Sequence, residues 1–384
     1  MRDLMLRTIS RSRPALRLLG RNERGSIGVL VAVLIAGGVL FGIGALAIDV
    51  GQLYQERAEL QNGADAAALG VAKGCALNAS TCTLGNATGT AVGYADANAS
   101  QLTSHTAGIY QVCGSGNLGS CPASTGVITD CPSAPAAGVN YVDVHTYTQM
   151  RGGSHLLPSV FARTLLGHSN YAGSTVYACA QAEWGGPASA NSLALTISAC
   201  EWDTATKNGT NFAPPPPYPP NPAVSYDQSL TLHDYSKKGT SGACPANPAD
   251  ADAPGAFGWT ADKNGTCQVT IANNQYGTGT GVEAGNCATL LQAAWQNRTV
   301  LYIPIYSSVT LQGSNTTYTL KGFAAFVVTG FRVPNYYEPD WLNPSLLCGP
   351  PTVCVDGVFT QALCTTSCQP GGSNLGLTVV RLTG

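Results

Sequence analysis

An uncharged apolar run near the N-terminus constrains this chain more than any other feature. Residues 27–48 contain no Asp, Glu, Lys, Arg or His. As an α-helix with a rise of 1.5 Å per residue, this run is about 33 Å long, which matches the hydrocarbon core of a bilayer. A helix in a soluble core rarely stays apolar on every side over such a length. We therefore predict a transmembrane helix over residues 27–48, in contact with a lipid bilayer.

The charges on either side of the run orient it in the membrane. Residues 1–26 carry seven arginines against Asp3 and Glu23, whereas the rest of the chain has 12 basic and 19 acidic side chains. Arginine-rich flanks stay on the cytoplasmic side. We expect a single-pass protein of the cell membrane, with a basic cytoplasmic tail over 1–26 and an exported region after Asp49.

Two features of the run leave alternatives open. Ala45-Leu46-Ala47 is a possible signal-peptide cleavage site, although the run is longer than the 7–15 residues typical of a signal core. Gly38 and Gly42 have the small-xxx-small spacing that lets two membrane helices approach closely, and they are our helix-packing candidates. Isolated glycines are also common in membrane helices, so this spacing has a second, ordinary explanation.

Helical character continues beyond the membrane. Over residues 49–74, apolar side chains recur every three or four positions from Val50 to Val71, and charged or polar side chains occupy most other positions. This pattern predicts a juxtamembrane amphipathic helix. We expect its apolar stripe to pack on the protein's own exported domain.

The cysteines indicate an oxidising compartment. Their number is even, none precedes residue 75, and no Cys-x-x-Cys pair suggests a zinc site. Most lie in loop-like stretches rich in Gly, Ser, Pro and Asn, where disulfides commonly join loops. The disulfide candidates are Cys75, Cys82, Cys113, Cys121, Cys131, Cys179, Cys200, Cys244, Cys267, Cys287, Cys348, Cys354, Cys364 and Cys368.

The exported region is predicted to be a β-rich α+β domain stapled by disulfides. Strand-like alternation occurs at 141–148 and 318–332, whereas 90–99 and 287–295 have helical patterns. The proline-rich run 213–222 is expected to be an extended linker. We place a first extracytoplasmic lobe at 75–212 and a second, β-rich lobe at 223–384.

Composition and motifs exclude several functions. With a net charge of −2 and 10% charged residues, the chain lacks the basic surface of a nucleic-acid-binding protein. No phosphate-binding loop, His-Glu-x-x-His, Gly-x-Ser-x-Gly or EF-hand motif occurs. Glu201-Trp202-Asp203, an acidic pair beside an aromatic residue, could flank a sugar, but we interpret it as a strand end held through Cys200. We therefore expect no catalytic, metal-binding or cofactor-binding residues, and no enzyme.

Three N-terminal segments resemble a known family. These are Glu23-Arg24-Gly25-Ser26, then Ala45-Leu46-Ala47-Ile48-Asp49-Val50-Gly51-Gln52-Leu53-Tyr54, then Leu60-Gln61-Asn62-Gly63-Ala64-Asp65-Ala66-Ala67-Ala68-Leu69. In order and spacing they look like the N-terminal module of TadE/TadG-like proteins of tight-adherence (Flp) pilus assembly. Pro158-Ser159-Val160-Phe161-Ala162-Arg163 is similar to a segment that follows in that family.

The resemblance implies an accessory membrane protein of pilus biogenesis, which would contact pilin or other pilus-assembly membrane proteins. It does not imply an enzyme. Some longer relatives carry a von Willebrand A-like domain with a metal site built on Asp-x-Ser-x-Ser, a motif that is missing here. The fifth residue after Gly25 is Leu30, where processed pilin-like members have Glu. Two other functions stay open: a membrane-tethered cell-surface hydrolase or glycan-binding module, and a minor pilin-like subunit.

Overall fold

A computed structural model describes most of the chain. The described residues are 24–98, 105–127, 129–136, 138–150, 152–159, 161, 173–231, 257–260, 262, 264–272, 274–277, 283–310, 317–345, 353–365 and 367–383. Residues 1–23 of the predicted basic tail lie outside this part of the chain, as do Cys244 and Cys348.

The described elements are four α-helices, three short 3-10 turns and fifteen strands. The helices are α1 (Arg24–Leu77), α2 (Leu84–Asn98), α3 (Ala199–Thr206) and α4 (Glu283–Asn297). The strands are β1 (His105–Gly114), β2 (Asn140–Met150), β3 (Tyr177–Leu193), β4 (Leu195–Ser198), β5 (Asp227–Thr231), β6 (Phe257–Trp259), β7 (Gln268–Ile271), β8 (Gln275–Gly277), β9 (Val300–Thr310), β10 (Thr317–Val333), β11 (Tyr336–Glu338), β12 (Cys354–Thr360), β13 (Ala362–Leu363), β14 (Gln369–Asn374) and β15 (Leu377–Leu382).

The chain divides into two compact units. The first comprises α1 up to Tyr54 together with residues 158–173, and the second comprises residues 55–157 and 174–384. Residues on both sides of the proline-rich run 213–222 belong to the second unit. The subdivision of residues 75–384 into two lobes at that run stays a prediction.

In the second unit, the C-terminal part of α1 packs with α2 against the antiparallel strands β1, β2 and β3. Small side chains dominate this core, for example Ala67 on α1 and Ala91 on α2, so the two helices can approach closely. Hydrogen bonds add to the packing: Thr146 Oγ1 donates to the Leu60 carbonyl at 3.1 Å, and Gln61 Nε2 donates to the Cys179 carbonyl at 2.9 Å. The amphipathic stripe predicted at 49–74 therefore packs on the protein's own domain from Leu60 onward.

A second core forms around the long strand β10. This strand pairs antiparallel with β9 and β12, and β12 pairs with β5. Its consecutive residues 322–331 are all buried, as expected for a strand covered on both faces. Helix α4 packs on it through Leu291, and α3 contributes Trp202 to the same cluster. Strands β3 and β14 link this sheet region to β1 and β2.

The structure confirms the predicted fold class, a long apolar N-terminal helix followed by a β-rich α+β domain with disulfides. Five cysteine pairs lie at disulfide distance, and Cys200 and Cys354 are also disulfide-bonded. The five pairs are Cys75–Cys82, Cys113–Cys121, Cys131–Cys179, Cys267–Cys287 and Cys364–Cys368. No cysteine in the described residues is free.

One local prediction was wrong. Glu201-Trp202-Asp203 does not end a strand: it lies in α3, which begins directly after β4. The Ser198 side chain accepts a hydrogen bond from the Glu201 backbone N–H at 3.2 Å and so caps the helix.

Candidate functional site

The N-terminal part of α1 presents apolar side chains on all sides. Thirteen large apolar residues between 27 and 48 are exposed, and Leu40 and Phe41 reach 71% and 83% exposure. An 18-residue window of the helix has a mean hydropathy of 2.6, and it is long and apolar enough to cross a membrane. The thirteen are Ile27, Val29, Leu30, Val31, Val33, Leu34, Ile35, Val39, Leu40, Phe41, Ile43, Leu46 and Ile48.

Water is an unfavourable surrounding for this surface. Moving one large aliphatic or aromatic side chain out of water gains about 1.5–3 kcal/mol. For thirteen side chains the gain is on the order of 20–40 kcal/mol, more than the whole folding free energy of a typical domain. By length and composition the helix could cross a lipid bilayer, where this apolar surface would be removed from water.

The packing candidates Gly38 and Gly42 lie on this open part of the helix. A Cβ atom built on either glycine would meet no atom within 4 Å, and the same is true of Gly37 and Gly44. Gly38 and Gly42 are four residues apart and thus share one helix face. Within the part of the chain that the structure describes, no atom packs against this face at the two glycines.

Asp49 directly follows the last residue of the uncharged apolar run, 27–48. Although it is charged, it is buried, and its carboxylate oxygens Oδ1 and Oδ2 accept from the Phe161 backbone N–H at 3.1 and 3.2 Å. Both residues belong to the first unit. The carboxylate therefore ties a segment 112 residues further along the chain to α1. The sequence marks Asp49 as the end of the run but gives no signal for this partner.

The acidic pair Glu201 and Asp203 does not form a sugar-binding site with Trp202. The indole of Trp202 is 4% exposed and lies 6.2 Å from the ring of Phe212, centroid to centroid. Lys321 Nζ lies 3.4 Å from Asp203 Oδ2 and 5.7 Å from the Trp202 ring centroid. Because the aromatic face is buried, it cannot act as an exposed platform for a sugar.

Among the described residues, two overlapping groups have the spacing of metal ligands, both around His145. One combines it with Cys131 and Cys179, and the other with Cys113 and Asp143. All three sulfur atoms are disulfide-bonded, so no thiolate is available to a metal. Neither group is therefore a metal site in the oxidised protein.

The same region has perturbed acid–base properties. Burial lowers the pKa of His145 below its ordinary value. Burial also raises the pKa of Asp143 to about 6, although the Gln181 amide donates to its carboxylate at 2.9 Å and opposes the shift. Because the pKa of Asp143 differs from its ordinary value, the stability of this domain depends on pH.

A second acidic cluster lies inside the β10 region and was missed by sequence reasoning. Asp227, Asp340 and Asp356 are 8%, 6% and 1% exposed, and Thr329 lies among them with no exposure. Thr329 Oγ1 is 2.9 Å from Asp227 Oδ1 and 2.7 Å from Asp340 Oδ2. Burial and the neighbouring carboxylates raise the pKa of Asp227 to about 8, and burial raises the pKa of Asp356 to about 6. The three acids are far apart in sequence, so no local motif identifies them.

Comparison with known proteins identifies the N-terminal segment. Residues 25–74 match the Tad family, described as Flp pilus-assembly TadE/G-like. The comparison found no matching curated protein and no matching solved structure. The match covers both the open apolar helix and its packed continuation, and it confirms the resemblance seen in the sequence. The chain thus carries a TadE/G-like segment, which supports a role related to Flp pilus assembly.

Proposed function

We propose that this protein is a membrane-anchored accessory factor of Flp (tight-adherence) pilus assembly with an exported structural domain and no catalytic role. One observation carries the proposal: the segment that matches the pilus-assembly family contains an open apolar helix of membrane-spanning length. Such a helix anchors the chain and places its charged boundary residue, Asp49, at the membrane surface.

Two independent features support a cytoplasmic N-terminus and an exported domain. The arginine excess in residues 1–26 favours retention of that side in the cytoplasm. The disulfide bonds of the domain after Asp49 favour an oxidising compartment outside the cytoplasm. Both features give the same single-pass topology.

The proposed mechanism is mechanical. The anchor helix packs against another membrane helix of the assembly machinery through the face that Gly38 and Gly42 share, because glycines allow close backbone approach. The exported domain contacts pilin or other assembly proteins on the outer side. Residues of α1 from Leu60 onward belong to the core of that domain, so one continuous helix joins the domain to its anchor.

Complementation of a deletion strain tests this function. Cells that lack the gene receive the wild-type protein, Gly42→Leu, or the control Gly44→Leu, which adds the same side chain on another face of the helix. Neither site has a neighbour within 4 Å, so both variants should reach the membrane at wild-type levels. We expect Gly42→Leu to reduce surface pili severalfold and Gly44→Leu to have little effect.

Two outcomes would contradict parts of the proposal. If the deletion strain makes normal numbers of pili, the assembly role is wrong. If the deletion abolishes pili but Gly42→Leu restores them as fully as Gly44→Leu, the role stands and the Gly38 and Gly42 face is not the contact.

A further inference from the structure

Two segments of the first unit meet where the apolar run of α1 ends. Asp49 directly follows the run, and its carboxylate accepts from the Phe161 backbone N–H, at 3.1 Å to Oδ1 and 3.2 Å to Oδ2. Both residues belong to the first unit. The backbone of Phe161 therefore lies level with the end of the run along the helix axis. We call this pair of residues the boundary contact.

One face of α1 is covered by protein at this level. Ala45 and Asp49 are four residues apart, so they share a helix face, and each is only 8% exposed. Leu46, Ile48 and Val50, which point in other directions, are exposed. The covered face thus begins within the last turn of the apolar run, and the rest of the helix surface at this level stays open.

The boundary contact satisfies two polar groups that a bilayer would otherwise leave without partners. A carboxylate beside an apolar span is costly unless it is paired or hydrogen-bonded. A non-helical backbone N–H at membrane depth also needs a partner from the protein, because the bilayer core supplies no water. Asp49 provides that partner for Phe161. The contact therefore meets the main condition for an irregular segment to approach the membrane.

The side chain of Phe161 has surface left for another contact. It is 39% exposed, so packing within the protein covers only part of the ring. Aromatic residues are enriched at the interfaces between a membrane and water. The exposed Ile48 side chain lies one residue before Asp49, so an apolar, open helix surface and the partly open ring occur at one level.

We infer that Phe161 inserts into the bilayer interface at which the apolar run ends, as a second membrane contact of the chain beside α1. The occupant of the open ring surface is lipid, because the neighbouring exposed surface of α1 is the end of the apolar run. The inference rests on the proposed membrane anchor and adds to it. Phe161 is attached to one face of α1, so its insertion would restrict rotation of the helix about its axis.

Tryptophan quenching in vesicles tests the inference. The full chain is reconstituted in phosphatidylcholine that carries bromine, a short-range quencher of indole emission, either near the headgroup or near the bilayer centre. Phe161→Trp, Phe41→Trp and Tyr54→Trp are each compared with the wild type, which has the same five native tryptophans. Phe41 and Tyr54 lie about 12 Å before and about 7.5 Å after Asp49 along the helix, so they calibrate depth.

The three positions should differ in their quenching. The emission added by Phe161→Trp should be quenched more by bromine near the headgroup than by bromine near the centre, and more than the emission added by Tyr54→Trp. Phe41→Trp should be quenched mainly by bromine near the centre. If Phe41→Trp is not quenched, the membrane anchor is wrong and the inference fails with it. If Phe41→Trp is quenched but Phe161→Trp is quenched no more than Tyr54→Trp, the anchor stands and the inference is overturned.

Changes at Asp49 test whether the boundary contact holds Phe161 in place. Combined with Phe161→Trp, Asp49→Ala removes the acceptor and should lower headgroup quenching towards the Tyr54→Trp value. Asp49→Asn keeps an acceptor oxygen and should preserve the quenching. Central quenching of Phe41→Trp in the Asp49→Ala background checks that the helix still inserts. Unchanged headgroup quenching of Phe161→Trp with Asp49→Ala would overturn the role of Asp49. If Asp49→Ala does not insert, the comparison of the three single tryptophan variants still decides.

Discussion

The contact between α1 and α2 depends on a glycine, and replacing it gives a quantitative prediction. A Cβ atom on Gly70 would lie 2.5 and 2.7 Å from the Tyr94 ring atoms Cδ2 and Cε2. On Gly74, one turn later in the same helix, a Cβ atom would meet nothing within 4 Å. Gly70→Ala and Gly74→Ala therefore add the same methyl group to one helix, with and without a packing conflict.

The magnitudes follow from burial. Alanine in place of glycine in a helix stabilises it by up to about 1 kcal/mol, and less in the last turn, where Gly74 lies. At Gly70, the Tyr94 ring must move out of its contact. The side chain is 46% exposed, so its buried half covers about 100 Å², worth at most roughly 2.5 kcal/mol. Gly70→Ala should thus lower the free energy of unfolding by about 1.5 kcal/mol, whereas Gly74→Ala should raise it slightly.

A double-mutant cycle with Tyr94→Ala isolates the contact. In the Tyr94→Ala background, Gly70→Ala meets no ring and should stabilise the protein by its helix propensity, so its effect changes sign. The assay is urea unfolding of the full chain in detergent, followed by circular dichroism. If Gly70→Ala stabilises the otherwise wild-type protein as much as Gly74→Ala does, α1 does not pack on α2 as described.

Three further predictions concern the second unit, which contains Asp143, the Cys131–Cys179 pair and Arg381. The pKa of Asp143 is raised to about 6 in the folded protein. Protonation of Asp143 therefore stabilises the folded state: this contribution to the free energy of unfolding is complete below about pH 4 and is lost as the pH rises to about 6. Relative to Asp143→Asn, the wild type should lose about 3 kcal/mol across this window, seen as a falling Tm difference; a constant difference would contradict the burial of Asp143. Replacing Cys131 and Cys179, which are 48 residues apart, with alanine should cost about 4 kcal/mol in urea unfolding, and an unchanged midpoint would contradict the pairing. Arg381→Gln leaves the nearly buried Glu183 carboxylate without its ion pair and should cost roughly 1–2 kcal/mol after allowance for the exposed arginine; a change below about 0.3 kcal/mol would show that this pair does not stabilise the domain.

The sequence predicted well those features whose residues lie close together along the chain. The apolar run and its amphipathic continuation are periodic within one helix, and strand β10 is visible as an apolar run with β-branched residues. The start of α3 was also readable, because Ser198 and Glu201 have the spacing of a helix capping box. The prediction of a strand end at Glu201 is wrong because Ser198 caps a helix there directly after β4 ends.

The features that sequence missed depend on contacts between distant residues. Asp49 and Phe161 are 112 residues apart, and Asp227 and Asp340 meet at Thr329 only after β5, β10 and β12 have paired. No local pattern marks such a meeting, because each aspartate alone looks like a surface or turn residue. The disulfide pairings are of the same kind, since an even number of cysteines permits many connectivities.

The central claim is that an uncleaved apolar helix anchors an oxidised, exported domain. The most direct test is the intact mass of the protein from fractionated native cells, measured under reducing and non-reducing conditions. The account predicts a membrane-fraction protein whose mass includes the residues before Ile27 and whose cysteines are all disulfide-bonded. A mass beginning at Ser26 in sheared filaments would show a pilin-like subunit instead. A mass beginning at Ile48 in the medium would show that the helix is a removed signal peptide, and either result would contradict the account.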